Sequence, residues 1–365
     1  AGRGPDAVLL LGQPWKTPLL VEAVRRAAPR ARLVFYMAIE GEPAGDTIAR
    51  AAACADRCIL YTRCARDSLA AQLRPNQSHP HQTPLHRIGH GLDPRLRRLA
   101  RQAGDVPAPE ARRALRRELF PDHPALWAPP LVLTASRVYP RKRLDLTLAG
   151  FAFAARRAEG NLYLHLPGVI RYEADKLRAR IRELGLEHRV FLNLLDPLDR
   201  PLPFARLVAL LRACDIGLTT AMGEGWGLGP FEHAATGAAQ VVPDHTSFRE
   251  NWGVLENGGV RENGRPAALL VPTGAPLLDV HEAVTMQPPE PAAVGKALLT
   301  LLRDPARRLE LSRRARTRAR RPDLAWPSLA QRFDKVLREV VGKNEEAPNQ
   351  PPLPPLLRAP RRARP

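Results

Sequence analysis

The chain has 365 residues, with 56 Lys and Arg against 37 Asp and Glu, and a formal net charge of +19. That length allows two domains with their own cores, and no apolar run is long enough to span a membrane as a helix. The positive excess suits anionic partners such as nucleotide diphosphates, membrane surfaces or nucleic acid, although the Arg residues are scattered and accompany frequent Ala and Pro, as a compositional bias of the genome would also produce.

In chain order, strand-like runs fall first at Ala7–Leu11, Leu33–Tyr36, Arg57–Tyr61 and Leu85–Ile88. A second set follows at Leu131–Ala135, Leu162–Leu166, Val190–Leu192, Asp215–Thr219, Gln240–Val242 and Ala268–Val271. Most are short and continuously apolar, as expected for strands covered on both faces. Helical periodicity fits between most of them, as in Leu144–Arg157 and Leu207–Ala213. The alternation predicts an α/β protein of two doubly wound units. The polar stretch Arg101–Ala128, weakly helical and Pro-rich at its ends, suits the connection between them. The expected domains are residues 1–120 and 121–328, then a closing helix over 329–342. The Pro- and Arg-rich segment 343–365 reads as a disordered tail.

Cys54, Cys58, Cys64 and Cys214 have no further Cys or His at ligand spacing, so reduced core thiols are expected and no metal site. No signal peptide is read, which points to the cytoplasm, with peripheral contact at the inner face of a membrane as one use of the positive charge. His165, inside an apolar run, reads as a buried histidine, and His90 as part of a loop at the domain boundary.

The most informative segment is Met222 to Gly237. An apolar run from Cys214 to Ala221 leads into glycines at 223, 225, 227 and 229; Pro230 marks a helix start and Gly237 its end. Strand, glycine loop, helix aims free backbone N–H groups and a positive dipole end at a phosphate. Glu224 and Glu232 flank the loop with seven residues between them. Carboxylates are poor phosphate ligands but good partners for hydroxyls, so the pattern suggests a diphosphate with a sugar on each side.

Glu-Gly-Trp-Gly-Leu at 224–228, followed by Phe-Glu-His-Ala-Ala-Thr-Gly at 231–237, resembles the E-x7-E signature of retaining GT-B glycosyltransferases of the family 4 type. Upstream, Ala135 to Asp145 is similar to the strand-end Arg and following Lys that hold the donor diphosphate in that family, here Arg137 and Lys142. Weaker matches are Gly89 to Asp93, the segment Asp323-Leu324-Ala325-Trp326, and the helix after it. The resemblance covers roughly residues 30 to 340, with its two central motifs about 80 residues apart.

This resemblance implies the GT-B architecture: two Rossmann-like domains with a cleft between them, an acceptor-side N-terminal one and a nucleotide-sugar-binding C-terminal one. The helix 329–342 is expected to pack back on the first. The implied reaction moves a sugar from a nucleotide-diphosphate sugar to an acceptor hydroxyl, on a glycan, lipid or small molecule, with retention and without a metal or other cofactor. The partners are then a nucleotide sugar and an acceptor, not nucleic acid. Donor binding falls to Arg137, Lys142, Gly225, Trp226, Gly227, Leu228 and Glu232, with Glu232 on the ribose and Glu224 on the transferred sugar. Arg137, Lys142 and Glu224 carry the chemistry. Basic residues at a helix N-terminus oppose its dipole, and an incoming diphosphate supplies a reason for them; the plainer reading is a surface cation and a solvated helix start. Trp226 and His233 are read as lining or packing groups.

Two departures stand out. Four strands precede the connection where the family has six or seven, so the N-terminal domain is expected to be shortened. The His that many relatives place near the donor sugar is missing; the matching strand end, Phe35 to Pro43, carries Glu40 and Glu42 instead. Either could accept a proton or bind acceptor hydroxyls, and an ordinary acidic turn is the alternative. Two other readings of the whole chain stay open: a truncated relative that binds a nucleotide sugar without transfer, and a basic protein that binds nucleic acid or a membrane surface.

Overall fold

The computed structural model describes residues 4–14, 17–73, 83–102, 105–195, 202–253 and 264–342; the tail 343–365 lies outside them. Two compact units emerge: Ala1–Gly89 with Leu278–Thr285 and Leu329–Pro365, and His90–Leu277 with Met286–Ser328.

The first unit contains β1 (Ala7–Gly12), α1 (Thr17–Ala27), β2 (Arg32–Met37), β3 (Glu42–Pro43), α2 (Thr47–Ala53), β4 (Arg57–Leu60), α3 (Arg63–Gln72) and β5 (Leu85–Arg87). Strands β1, β2, β4 and β5 form a parallel sheet in that order, on the four apolar runs predicted. Residues 33–37 are all buried, as expected of a central parallel strand. The side chain of Thr62 caps α3 by accepting from the Ala65 N–H at 3.3 Å.

The second unit follows with α4 (Pro94–Gln102), α5 (Pro109–Leu119), β6 (Leu131–Ala135), α6 (Leu144–Ala155), β7 (Asn161–His165), α7 (Arg171–Glu183) and β8 (Val190–Leu192). Then come α8 (Phe204–Ala213), β9 (Ile216–Leu218), α9 (Leu228–Ala235), β10 (Ala239–Pro243), α10 (Thr246–Trp252) and β11 (Leu269–Val271). The last elements of the chain are β12 (Leu277–Asp279), β13 (Val284–Met286), α11 (Pro291–Arg303), α12 (Pro305–Ala319) and α13 (Trp326–Val341).

The second unit's sheet runs β11-β10-β9-β6-β7-β8, with every pairing parallel. Numbered within the unit this is 6-5-4-1-2-3, the doubly wound order, and it reverses between β6 and β9. Side chains alternate between two cores. Leu131, Leu133 and Tyr163 pack with Phe120 and Leu210 on one face, and Val132, Leu162 and Leu164 with Phe151 and Leu298 on the other. The six strands lie on the predicted runs, with no end shifted by more than one residue.

Three features differ from the sequence reading. Residues 90–120 cluster with the second unit, whereas the first domain was expected to run to 120. The stretch read as a weakly helical connection holds the end of α4 and all of α5. Its helical face was disguised because the buried positions are arginines. Arg112 donates to the carbonyls of Arg212 (2.7 Å), Gly237 (2.6 Å) and Cys214, and Arg116 to those of Ala213 and Pro129, both at 2.8 Å. Both guanidinium groups pair with Asp215 at the foot of β9. Thirdly, a small sheet of β12, β13 and β3 went unpredicted; β13 runs antiparallel to the two-residue β3. Gly41 permits that approach, since a Cβ there would stand 2.4 Å from the Thr285 carbonyl oxygen.

From Leu329 onward the closing helix α13 groups with the first unit, where Phe333 meets Tyr36 edge-on at 4.9 Å. The four cysteines are unbridged, with Cys58 and Cys214 buried. Among the described residues, no helix is long and apolar enough to cross a membrane.

Candidate functional site

A doubly wound sheet opens a crevice beyond the carboxyl ends of its strands where the order reverses. In the second unit that point lies beyond β6 and β9, and a cavity of about 120 Å³ occupies it. Arg137 enters from the end of β6, Thr219 from the end of β9, and Gly229 and Pro230 from the first turn of α9; Lys142 and Glu224 complete the polar wall. The two sequence motifs therefore meet. Their backbones join directly, Met222 N–H donating to Arg141 O at 2.9 Å, and the Thr220 hydroxyl donates to Arg143 O at 2.8 Å.

The glycines have specific duties here. Gly227 caps α9 at φ 90°, and a Cβ on it would stand 2.5 Å from the Phe248 ring. The helix therefore starts at Leu228, two residues before the expected Pro230. Pro230 remains in the first turn, where its missing N–H costs nothing. A Cβ on Gly229 would stand 3.4 Å from the Ala135 carbonyl oxygen, so the helix N-terminus lies close against the strand end. Gly237, at φ 96°, ends the helix where expected, its N–H bonded to Ala234 O at 2.9 Å.

Glu224 is ion-paired. Its carboxylate accepts from Arg141 Nη1 at 2.8 Å and from Lys142 Nζ. Burial alone would raise its pKa, but Lys142 and Arg141 overcome this and hold it down to about 2. The partner missed in sequence is Arg141, which is buried and also donates to Gly223 O at 2.9 Å. Next to Lys142 in a basic turn, it carried no distinguishing mark. Ser247 was missed too; its hydroxyl donates to Glu224 O at 2.5 Å and fixes the loop. Arg137 is exposed and reaches into the cavity.

Glu232 has the opposite environment. It lies on α9, makes no hydrogen bond or ion pair among the described residues, and burial followed by the charge of Asp93 raises its pKa to about 7. Asp93 belongs to the Gly-His-Gly-Leu-Asp segment, so this weak match supplies an electrostatic neighbour of the second glutamate. His233 is buried and neutral, its pKa pushed to about 3 by burial first and then by Arg112.

Other candidates fall elsewhere. The indole of Trp226 is only 3% exposed and stacks on Phe231 at 5.1 Å, so it belongs to the core and only its backbone faces the loop. Gly225 is buried in the same loop, while Leu228 is exposed at the helix start. Glu40 and Glu42 belong to the first unit. Glu40 is buried, and its charge adds to burial in raising the Tyr61 phenol to about 12; Glu42 is exposed on β3. His165 is buried in β7, and His90 lies in a loop against Trp326, with ring centroids 5.1 Å apart.

No family model and no curated protein matches the sequence. Solved structures do match in shape. Anabaena HepE in complex with UDP and glucose aligns over 91% of this chain and 78% of its own, with a TM-score of 0.63 and 17% identity. Sucrose-phosphate synthase from Thermosynechococcus elongatus aligns over 92% and 74%, at 0.64 and 17%. The α,α-trehalose 6-phosphate synthase from Burkholderia multivorans aligns over 93% and 73%, at 0.68 and 15%. The chain has the GT-B fold. At these identities the likeness establishes the fold alone. Within a GT-B fold, the cavity beyond β6 and β9 lies in the unit that carries the E-x7-E pattern.

Proposed function

We propose that this protein is a nucleotide-sugar-dependent glycosyltransferase of the retaining, family 4 type, working without a divalent metal. The observation that carries the reading is the convergence of Arg137, Lys142, Glu224 and the N-terminus of α9 on one cavity at the switch point of the second sheet, with Glu232 on the same helix outside the cavity lining. The neighbour HepE was solved with UDP and glucose, which fits a nucleoside diphosphate and a hexose at such a site.

In this reading the bond from the anomeric carbon to the diphosphate oxygen breaks and its electron pair stays on the phosphate. Arg137, Lys142 and the first N–H groups of α9 neutralise that charge, the role a metal plays elsewhere. The acceptor oxygen bonds to the same face of the sugar, and its proton passes to the leaving phosphate. The ion pair of Lys142 with Glu224 gives the binding step a further feature. A diphosphate competes for Lys142, and each contact it gains frees carboxylate capacity on Glu224 for a sugar hydroxyl, while Arg141 keeps that carboxylate ionised. Glu232 takes the ribose hydroxyls. The reaction is placed in the cytoplasm, with the positive charge of the chain as the basis for peripheral membrane contact.

Turnover of a panel of UDP- and GDP-sugars with and without simple acceptors tests the reading. Transfer should be seen for at least one donor, and Arg137→Ala should weaken that donor tenfold to a hundredfold, as loss of a charge-assisted contact of roughly 1.5–3 kcal/mol implies. Arg137 is exposed, so its removal should leave thermal stability unchanged. Undiminished donor binding in Arg137→Ala would remove the assignment.

A further inference from the structure

A second and larger cavity, of about 1000 Å³, lies in the same unit between α4, the end of α12 and the segment after it. Six arginines line it: Arg97, Arg98 and Arg101 from α4, Arg316 from α12, and Arg320 and Arg321 beyond. No carboxylate is among its lining residues. The nearby acids engage only part of the set: Arg316 faces Asp105 at 3.7 Å and Arg321 pairs with Asp323 at 2.8 Å. Arg98, Arg101 and Arg320 make no ion pair among the described residues.

Arg97 Nη2 donates to the Arg320 and Arg321 carbonyls at 2.8 and 3.2 Å, holding the two walls together. Its Nη1, and the Nη1 of Arg321, are buried without an acceptor. Burial, and then the charges of Arg316, Arg101 and Arg97, depress the pKa of Arg320; the cluster is short of negative charge. The remaining wall is mixed, with Trp326, Pro322 and Pro327 forming an apolar part beside Gln102, Thr317 and Ser328. Guanidinium groups suit phosphate oxygens, and an aromatic face suits a ring. A half-open hollow of this size can hold a ligand of nucleotide dimensions.

We propose that this cavity is a binding site for a small, multiply phosphorylated organic molecule, distinct from the cavity at the switch point, with its phosphates on the arginines and its ring or carbon skeleton on Trp326. The two cavities share no lining residue.

Calorimetry on the full chain with inorganic tripolyphosphate and with ATP, at physiological ionic strength, tests this. Arg137→Ala, which weakens phosphate binding at the switch-point cavity, should still bind tripolyphosphate at this second site. The triple variant Arg98→Gln/Arg101→Gln/Arg320→Gln should lose at least about tenfold, and it removes no side-chain hydrogen bond among the described residues. The single variants Arg98→Gln and Arg101→Gln should each lose a few-fold, which guards against a misfolded triple variant. ATP should bind Arg137→Ala more tightly than tripolyphosphate, and Trp326→Ala should erase that excess. Loss of binding in Arg137→Ala alone, or no loss in the single and triple variants, would overturn the proposal. So would binding of phosphatidylglycerol vesicles or of an oligothymidylate by a protein with no affinity for tripolyphosphate and ATP.

Discussion

Glu224 and Glu232 have seven residues between them, yet they sit at opposite electrostatic extremes, one held down to about 2 and the other raised to about 7. The contrast makes their roles separable. Glu232 in the folded chain binds a proton more tightly than in the unfolded chain, so its contribution to stability is full below pH 4.5 and is lost as pH rises through 7. Glu232→Gln should therefore match the unaltered protein at pH 4 and exceed it at pH 8 by about 2–3 kcal/mol, read from denaturant melts. Hydroxyl donors favour the ionised carboxylate, so binding of a nucleoside diphosphate at pH 6 should release a proton in the unaltered protein but not in Glu232→Gln. Calorimetry in buffers of different ionisation enthalpy measures this. Glu224→Gln should behave differently: it weakens the hold on Lys142, so nucleoside diphosphate affinity should stay level or rise while sugar transfer falls about tenfold or more. Parallel loss of diphosphate affinity in the two variants would show that both merely brace the loop.

Among the elements, α5 shows how charge can form a buried helix face. Arg112 and Arg116 reach under the sheet to carbonyls at the end of α8 and the start of α9's neighbouring strand, and Asp215 neutralises them. Burial alone would raise the Asp215 pKa, but Arg116 and Arg112 hold it below the ordinary carboxylate range. Asp215→Ala would leave two buried guanidinium groups without a counter-charge, at a cost of about 3–5 kcal/mol. The thermal midpoint should drop by about 10 °C in calorimetry, at about 2–4 °C for each kcal/mol in a unit of this size. A drop of only a degree or two would mean that the carbonyls alone hold the helix. Because α5 packs on α8, and Thr236 at the end of α9 donates to His233 O at 2.7 Å and lies 3.1 Å from Leu211 O, this buried charge also braces the helix that frames the candidate site.

At the scale of the molecule, protein cations stand where a metal would in the proposed reaction, so chelation makes the test. Transfer should continue within about twofold in EDTA, since two cationic side chains and a helix N-terminus supply the electrostatic stabilisation. Loss in EDTA with recovery in Mg²⁺ or Mn²⁺ would sink the metal-free reading.

Most of the second unit was legible in the amino-acid order because parallel strands buried on both faces must be short continuous apolar runs, and because a left-handed cap at Gly227 and a helix end at Gly237 admit few residues but glycine. The two motifs that meet at one cavity, the glycine loop and the segment with Arg137 and Lys142, were legible as motifs in the same way. Long-range partners were not legible. Arg141, Ser247 and Asp93 look like ordinary surface residues until the chain brings them beside Glu224 and Glu232, and a two-residue strand such as β3 has no periodicity to read. Local backbone preference and the alternation of burial are written residue by residue, so sequence alone determined the strands, the helix ends and the glycine loop. Ion pairing and desolvation depend on distances between residues far apart in the chain, so only the tertiary structure decided that Glu224 is paired, that Glu232 has no ion pair among the described residues, that Trp226 is core, and that six arginines share one hollow.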